Sequence, residues 1–314
     1  MLKPENQLIL APMEGVMDYL MRDLITQYNH FDLCITEFVR VVSSLIPKHV
    51  YYRIAPELYH QGVTPAGTKI RLQLLGQDPN WMAENANRAI GLGSHGIDIN
   101  FGCPAKTVNK NKGGAVLLQS PTLIYDIVNA IRQAVPTEQA VSVKIRLGYE
   151  DESMLSEIVD AVIQANASAL TIHARTKVQG YRPPAHWHFI TDIAQRIAIP
   201  VFANGDIWSR ADAERCMLQT KTSNLMLGRG VLALPNLANT IKYNDAPMSW
   251  QQLLQLLLRF TTNELQYKNG FYFSSRLKQW LRYLKLQYPE ANLLFQKIKT
   301  ISDTQTMLTL LQQQ

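Results

Sequence analysis

The sequence predicts a (β/α)8 TIM barrel followed by a small C-terminal helical domain. Short apolar segments of the kind found in buried parallel strands recur eight times between residues 8 and 227. Helical patterns separate them, and eight alternations of strand and helix indicate a closed barrel. Polar or glycine residues follow the segments, at the edge where barrels of this type build their sites. The 314 residues suffice for a barrel of about 250 residues and a smaller unit.

Each predicted element rests on a local pattern. The strands are short runs of Leu, Ile, Val and Phe that end in glycine or polar residues. We place them at residues 8–11, 33–36, 70–75, 97–100, 141–146, 170–173, 200–204 and 225–227. Apolar residues at helical spacing between the strands predict helices that include residues 81–92, 121–135, 154–164 and 210–218.

The barrel pattern stops near Tyr243 and defines two predicted domains, residues 1–243 and 244–314. A linker at 244–249 ends in a helix-capping serine, and leucines then open the first of several helices. Residues 275–287, 291–300 and 304–313 complete the helical unit. Residues 245–314 hold eight Lys or Arg against four Asp or Glu, and the whole chain carries a net charge of +6. The second domain is therefore predicted to face an anionic partner.

Composition excludes several classes of protein. With 46% hydrophobic and 18% charged residues, the chain is typical of a globular protein. Three widely spaced cysteines argue against a disulfide framework, and without a CxxC motif we expect no metal site. Neither a signal peptide nor a membrane span is expected. We expect a cytoplasmic monomer, with Cys34 and Cys216 as buried core residues.

Cys103 is the strongest candidate for chemistry. It lies between Gly102 and Pro104, directly after a predicted strand, and a basic run from Lys106 to Gly114 follows it. A thiol at a strand end beside positive charge is placed to act as an acid or a nucleophile. The alternative is an inert cysteine buried in a turn, but the polar, sharply turned loop favours function.

Polar side chains at other strand ends are predicted to lie with Cys103 around one opening of the barrel, its mouth, where the C-terminal ends of the strands meet. Lys144 and Arg146 alternate with apolar residues on one strand, where a charge is costly unless it meets a polar ligand. The alternative is an ion pair with a carboxylate of Glu14, Glu37 or Asp98. His173 ends the next strand, and it is either a ligand contact or a hydrogen-bonded core histidine.

Two glycine-containing loops predict a phosphate site. Asn204-Gly205-Asp206 follows the seventh strand and Gly228-Arg229-Gly230 follows the eighth. Glycines there allow backbone N–H groups to approach an anion closely, and these loops commonly hold phosphate in this fold. The pair of loops therefore predicts a cofactor that carries a phosphate group.

A basic helix in the second domain is the candidate nucleic-acid surface. Its apolar residues predict one buried face. Arg276 and Tyr283 share one outer face, and Lys278, Arg282 and Lys285 lie along another. Such a face is either solvated or bound to phosphates. The segment lacks acidic partners for these cations, which favours phosphate binding.

These residues resemble the tRNA-dihydrouridine synthases over nearly the whole chain. The similar motifs, in the family's order, are L-A-P-M-E-G-V-M-D, N-F-G-C-P-A-K-T-V-N-K-N-K-G-G-A, V-K-I-R-L-G, I-H-A-R-T, A-N-G-D-I and L-G-R-G. Subfamily C, which modifies uridine 16 of the tRNA D loop, is the most similar group. The segments that indicate it are M-E-G, C-I-T-E-F-V-R-V and R-L-K-Q-W-L. Asp206 is one departure, because Glu is as common there in the family.

The resemblance implies an FMN-dependent reduction of uridine to 5,6-dihydrouridine, with NADPH or NADH as the reductant. Hydride would pass from reduced FMN to C6 of uracil, and Cys103 would donate the proton to C5. The implied cofactor-binding residues are Pro12, Met13, Glu14, Gln73, Lys144, His173, Asn204, Gly205, Asp206, Gly228 and Arg229. The implied tRNA-binding residues are Arg40, Asn100, Lys106, Arg146, Tyr181, Arg276, Lys278, Arg282 and Tyr283.

Two alternatives stay open. A flavin-dependent reductase or dehydrogenase of a free pyrimidine would share the barrel and the phosphate loops. Such an enzyme has no need of a basic helical domain, however, and the motif around Cys103 does not resemble that family. A non-catalytic tRNA-binding protein would keep the barrel as a scaffold, but the complete set of Gln73, Lys144, His173 and Arg229 counts against it.

Overall fold

Eight parallel strands pair in chain order, and the last pairs with the first to close a barrel. The computed structural model describes residues 6–268 and 270–313. This architecture confirms the predicted fold class. The strands are β1 Leu8–Leu10, β2 Leu33–Arg40, β3 Ile70–Leu75, β4 Ile97–Asn100, β5 Val141–Arg146, β6 Ala169–His173, β7 Val201–Asn204 and β8 Asn224–Leu227.

Strand β2 extends four residues beyond its predicted end at Thr36. The polar Glu37 suggested a strand end, but pairing with β3 continues to Arg40 after a shift of register between Ile35 and Phe38. The extension brings Glu37 and Phe38 to the lining of the barrel mouth.

Helices on the outside of the barrel cover its strands. Several begin where the sequence provides a cap: the side chains of Asp18, Asp78 and Ser209 each accept a hydrogen bond from a backbone N–H of the first turn. Short 3-10 helices lie at Pro56–His60 and Gly114–Gln119. The helices are α1 Tyr19–Thr26, α2 Lys48–Ile54, α3 Pro79–Gly91, α4 Lys106–Lys110, α5 Pro121–Ala134, α6 Leu155–Gln164, α7 His188–Arg196, α8 Arg210–Thr220, α9 Arg229–Ala233 and α10 Leu237–Tyr243.

A buried ion pair joins α1 to the segment that leads into β3. The guanidinium of Arg22 donates to both carboxylate oxygens of Glu57, at 2.9 and 3.0 Å, and also to the carbonyls of Met17 and Ile54. Both side chains are buried. Burial of two charges is tolerated here because every contact is a short, charge-assisted hydrogen bond.

The C-terminal helices pack against the barrel near the end of β8. Trp280 is buried, its ring lies edge-on to Phe260 at 5.1 Å, and its indole N–H donates to the carbonyl of Leu232 in α9 at 3.0 Å. The predicted helices occur with small shifts of their ends. They are α11 Trp250–Lys268, α12 Phe273–Leu284, α13 Pro289–Ile298 and α14 Thr304–Gln312.

Neither a membrane helix nor a metal cluster is found in the described chain. Within residues 6–268 and 270–313, every helix is too short or too polar to cross a bilayer. Over the same ranges, His, Cys, Asp and Glu form no group of three that could hold a metal ion. As predicted, Cys34 and Cys216 are buried.

Candidate active site

The C-terminal ends of the strands surround one cavity of about 560 Å³. The sequence predicted this location, because polar residues follow the strands at this edge. The cavity brings together most of the predicted site residues. Those that line it are Pro12, Met13, Glu14, Gln73, Asn100, Cys103, Lys144, Arg146, His173, Tyr181, Asn204, Gly205, Asp206, Gly228, Arg229 and Tyr283.

The Cys103 loop is fixed by hydrogen bonds on both sides of the thiol. The side-chain oxygen of Asn100 accepts from the N–H groups of Gly102 and Cys103, both at 2.9 Å. The Cys103 carbonyl accepts from the side-chain amide of Asn109 at 2.9 Å. Gly114 allows this packing, because a Cβ there would lie 2.8 Å from the same carbonyl. The thiol is therefore presented at the cavity wall by a rigid loop.

The thiol remains protonated at neutral pH. Burial raises the pKa of Cys103, and the charges of Arg146 and Lys144 only partly oppose that shift. A protonated thiol at a cavity wall can donate a proton to a ligand, whereas a thiolate would be the better nucleophile. Cys103 is half-buried rather than enclosed, which favours a functional thiol over the alternative of an inert cysteine buried in a turn.

Lys144 supplies a positive charge inside the mouth. Its Nζ donates to the side-chain oxygen of Asn204 at 3.3 Å. Burial, together with the nearby charge of Arg146, lowers the pKa of Lys144 to about 8. Among the described residues no carboxylate lies within ion-pair distance of Lys144, although the charge of Asp98 acts on it and opposes the fall in its pKa. At pH 7 the ammonium is largely charged and can stabilise negative charge on a ligand.

Arg146 builds the wall of the cavity. Its guanidinium donates to the carbonyls of Gly102, Thr176 and Gly180 at 2.8, 3.0 and 2.9 Å. The same group lies 5.2 Å from the ring centre of Tyr181. Arg146 thus ties the Cys103 loop to the loop after β6 and positions the exposed Tyr181 ring over the mouth.

His173 carries an unpartnered nitrogen. The side chain is buried, and its Nδ1 has no hydrogen-bond partner among the described residues. Burial lowers the pKa of His173 well below its ordinary value, and Arg146 and Lys144 add to the shift. The ring is therefore neutral and lies in the cavity lining. This contradicts the alternative of a hydrogen-bonded core histidine and favours a ligand contact.

The loops after β7 and β8 meet around a cation. The Arg229 guanidinium contacts the rings of Tyr181 and Trp208, 4.7 and 5.1 Å from their centres, and lies 3.6 Å from Asp206. Gly205 has φ +122°, a conformation that favours glycine. The half-buried Arg229 is thus held in place and able to bind a phosphate.

The Asp206 carboxylate binds other residues of the protein rather than facing a phosphate. It adopts a left-handed conformation with φ +52°, and its carboxylate accepts from the buried Arg175 and from the N–H of Ala185. Its side chain therefore joins the loop after β7 to the loop after β6. Sequence reasoning did not assign a role to Arg175, although it lies in the quoted I-H-A-R-T motif. Trp208 had no sequence signal at all.

Five of the predicted tRNA-binding residues lie outside the cavity lining. Arg40, Lys106 and Arg282 are exposed, and Lys278 is half-buried on α12. Arg282 also lies 5.7 Å from the ring centre of Phe295. The fifth residue, Arg276, is placed differently.

Arg276 belongs to an ion-pair cluster between α12 and the barrel. Its side chain is only 11% exposed and pairs with Asp18 at 2.8 Å and with the fully buried Glu264 at 2.9 Å. Lys268 joins the same cluster through Asp18. The expectation that these cations lack acidic partners is wrong for Arg276, because the folded chain brings in Asp18 from far away in the sequence. In the folded chain Arg276 attaches α12 to the barrel through Asp18.

Comparisons with known proteins agree with these motifs. The Dihydrouridine synthase (Dus) family matches residues 9–314. The tRNA-dihydrouridine(16) synthase of Shewanella oneidensis is 55% identical over 307 residues, which cover 98% of each chain. The proteins of that name from Vibrio cholerae and Escherichia coli K12 are 52% and 50% identical; the matches cover 96% and 95% of this chain and 94% and 95% of theirs.

A solved structure shares the fold alone. It is described as the crystal structure of TcOYE with pHBA, with a TM-score of 0.52 and 12% identity over 76% of this chain and 89% of that one. The family match and the high identities confirm the resemblance seen in the motifs. The chain therefore belongs to the dihydrouridine synthase family of enzymes, and groups there with the proteins named tRNA-dihydrouridine(16) synthase.

Proposed function

We propose that this enzyme reduces uridine to 5,6-dihydrouridine at position 16 of the tRNA D loop. The observation that carries the proposal is one cavity that brings the Cys103 thiol, whose pKa burial raises, together with Lys144, His173 and Arg229. Reduction of the uracil C5=C6 bond requires a hydride at one carbon and a proton at the other. The names and identities of the relatives support tRNA as the substrate.

The cavity residues fit FMN. The unpartnered Nδ1 of His173 and the Lys144 ammonium suit the polar edge of the ring system, and Arg229 suits the phosphate. A Cβ at Gly228 would point toward Ala11 and Met13 in the cavity wall, so glycine leaves room there. Once reduced by NADPH or NADH, bound FMN would supply the hydride that reaches C6 of uracil.

Cys103 completes the addition by donating its thiol proton to C5. Negative charge develops at C5 as C6 gains hydride, and a positioned acid neutralises it. The uridine has to leave its base stack to reach the mouth of the barrel. Asn100, Arg146 and Tyr181 line the path of the extruded base in this proposal, and the exposed aromatic ring of Tyr181 offers it a stacking surface.

In this proposal residues 1–243 form the catalytic domain and residues 244–314 bind tRNA. Basic residues at the mouth and on α12 hold the tRNA backbone and orient the D loop. Tyr283 joins the two regions, because it lies on α12 and also lines the cavity. The outer contacts are assigned to Arg40, Lys106, Lys278 and Arg282.

Substitution of both Lys278 and Arg282 by alanine is expected to weaken tRNA binding and reduce its salt dependence. Each lost phosphate contact lowers the slope of log Kd against log salt by about one. A salt titration of tRNA binding measures the slope. Lys297→Ala, at an exposed position on α13, is the matched control. An unchanged slope in the double variant would remove both residues from the interface.

Mapping of the product tests the proposed reaction. Purified enzyme with FMN and NADPH is incubated with unmodified tRNA, and dihydrouridine is located along the D loop. We expect product at position 16 alone. Product at another D-loop position would retain the chemistry and overturn the assigned position. Oxidation of NADPH without dihydrouridine in tRNA would contradict tRNA as the substrate and favour a free pyrimidine.

A further inference from the structure

A string of hydrogen-bonded side chains runs down the barrel interior from the Cys103 loop. The N–H groups of Gly102 and Cys103 donate to the oxygen of Asn100. The amide nitrogen of Asn100 donates to the oxygen of Gln73 at 2.7 Å, and the Gln73 nitrogen donates to Asp98 at 2.7 Å. Asn100, Gln73 and Asp98 are buried. The string therefore links the catalytic loop to a carboxylate that does not line the active-site cavity.

A second string reaches Asp98 from the opposite end of the barrel. Arg71 donates to the hydroxyl oxygen of Ser142 at 3.0 Å, and the Ser142 hydroxyl donates to the other carboxylate oxygen of Asp98 at 2.6 Å. The strand register explains this meeting, because Asp98 pairs with Gln73 on one side and with Ser142 on the other. Arg71, Ser142 and Asp98 also line a lower cavity of about 430 Å³.

We infer that Asp98 is a positioning residue that fixes the Cys103 loop through Gln73 and Asn100. Both strings begin at groups that can only donate, the backbone N–H groups above and Arg71 below. Both end on the carboxylate of Asp98, whose two oxygens accept from Gln73 and Ser142. Burial raises the pKa of Asp98, and these two hydrogen bonds and the charge of Arg71 oppose that rise. The two amides between Asp98 and the loop therefore have one orientation that satisfies every link. This inference rests on the proposed function for the role of Cys103 as the acid.

Substitution of Asp98 by asparagine turns one of its two acceptor atoms into a donor. A donor that faces Gln73 conflicts with the upper string, whereas one that faces Ser142 makes that hydroxyl turn toward the carbonyl of Ile97, 3.5 Å away. The positive charge of Arg71 lies on the lower side and favours the asparagine oxygen there. The NH2 group then faces the donating nitrogen of Gln73. If the Gln73 amide rotates to avoid this, its NH2 group faces the NH2 group of Asn100, and two donors again oppose each other. Rotation of Asn100 would then remove the acceptor of the N–H groups of Gly102 and Cys103.

For Asp98→Asn we expect kcat for dihydrouridine formation to fall about 10- to 100-fold, since small displacements of a reacting group have effects of that size. The Kd for tRNA is expected to stay within about twofold, because Asn100 is the one member of the string assigned to the extruded base and the outer tRNA contacts, Lys278 and Arg282 among them, are not part of it. The second readout is alkylation of Cys103 by iodoacetamide in the FMN-loaded enzyme, followed by peptide mass. A loosened loop exposes the thiol, so alkylation is expected to accelerate at least about threefold. Cys34 and Cys216 are buried and serve as internal references.

Thr171→Val is the matched control. Thr171 is buried and lines the same lower cavity, but it lies outside both strings. We expect it to leave kcat and alkylation unchanged. Equal effects of Asp98→Asn and Thr171→Val, or a wild-type alkylation rate in Asp98→Asn, would overturn the inference.

Chemical rescue provides a second variant in case Asp98→Asn fails to fold. In Asp98→Ala, formate can enter the lower cavity beside Arg71 and accept from Gln73. We expect formate to return the alkylation rate of Cys103 to its slow wild-type value and to raise kcat. Formamide, which has the same size, is expected to change neither rate. Equal action of both molecules would contradict the acceptor-only requirement. If the wild-type enzyme forms no dihydrouridine, the proposed function fails, while the alkylation rates still decide whether Asp98 holds the loop.

Discussion

Cys103→Ala is expected to lower the rate of dihydrouridine formation by about 10²- to 10⁴-fold, the usual contribution of a positioned general acid. Binding of FMN and of tRNA is expected to persist, because the backbone of Cys103, rather than its thiol, makes the hydrogen bonds that hold the loop. Single-turnover conversion of tRNA measures the loss, and fluorescence titrations measure the two binding constants. Full turnover by the variant would end the assignment of Cys103 as the acid.

The pH dependence provides a further check on Cys103. The acid has to be protonated, so wild-type turnover is expected to fall as pH rises through the raised pKa of the thiol. Loss of charge on Lys144 above about pH 8 lowers the rate as well, and that decline is shared by Cys103→Ala. Cys216→Ala is the matched control, because Cys216 is buried in α8 and should leave the profile unchanged.

Glu57→Gln is expected to lower the free energy of unfolding by about 3–5 kcal/mol, the cost of leaving a buried charge without its partner. Arg22 is fully buried and would keep only the carbonyls of Met17 and Ile54 as full acceptors. Urea unfolding followed by circular dichroism measures the change.

The control for this pair is Asp160→Asn. Arg196 and Asp160 form an ion pair at 2.6 Å, but both side chains are more than 40% exposed. An exposed pair contributes about 0–1 kcal/mol, so the control should unfold almost as the wild type does. Equal losses in the two variants would show that burial does not determine the strength of the Arg22–Glu57 interaction.

The barrel and its mouth were predictable because both follow from short-range patterns. Apolar runs that end in polar residues locate the strands, and parallel closure then brings Cys103, Lys144, His173 and Arg229 to one edge. Motif resemblance added the family. The continuation of β2 past Glu37 does not follow from such a pattern. It depends on a register shift against β3, which the local sequence does not indicate.

Contacts between distant segments were not predictable. The local sequence around Arg276 shows no acid, yet Asp18 neutralises it from the N-terminal end of α1. Asp98 looked like a candidate ion-pair partner for Lys144 or Arg146, whereas the folded chain directs it to Gln73 and Ser142. In each case the partner is set by barrel closure and domain packing, which one sequence does not display.

The attachment of α12 limits how this enzyme can be redesigned. The Trp280 indole donates a hydrogen bond to the carbonyl of Leu232 in α9, the short helix that begins with Arg229. Arg276 forms an ion pair with Asp18 at the start of α1. A chimera that joined this barrel to the C-terminal helices of another enzyme of the family would need both contacts in the transplanted helices. Without them, the graft would leave the carboxylate of Asp18 short of a partner and Arg229 on an unsupported helix. An exchange of the C-terminal helices therefore requires matched changes on both sides of the junction.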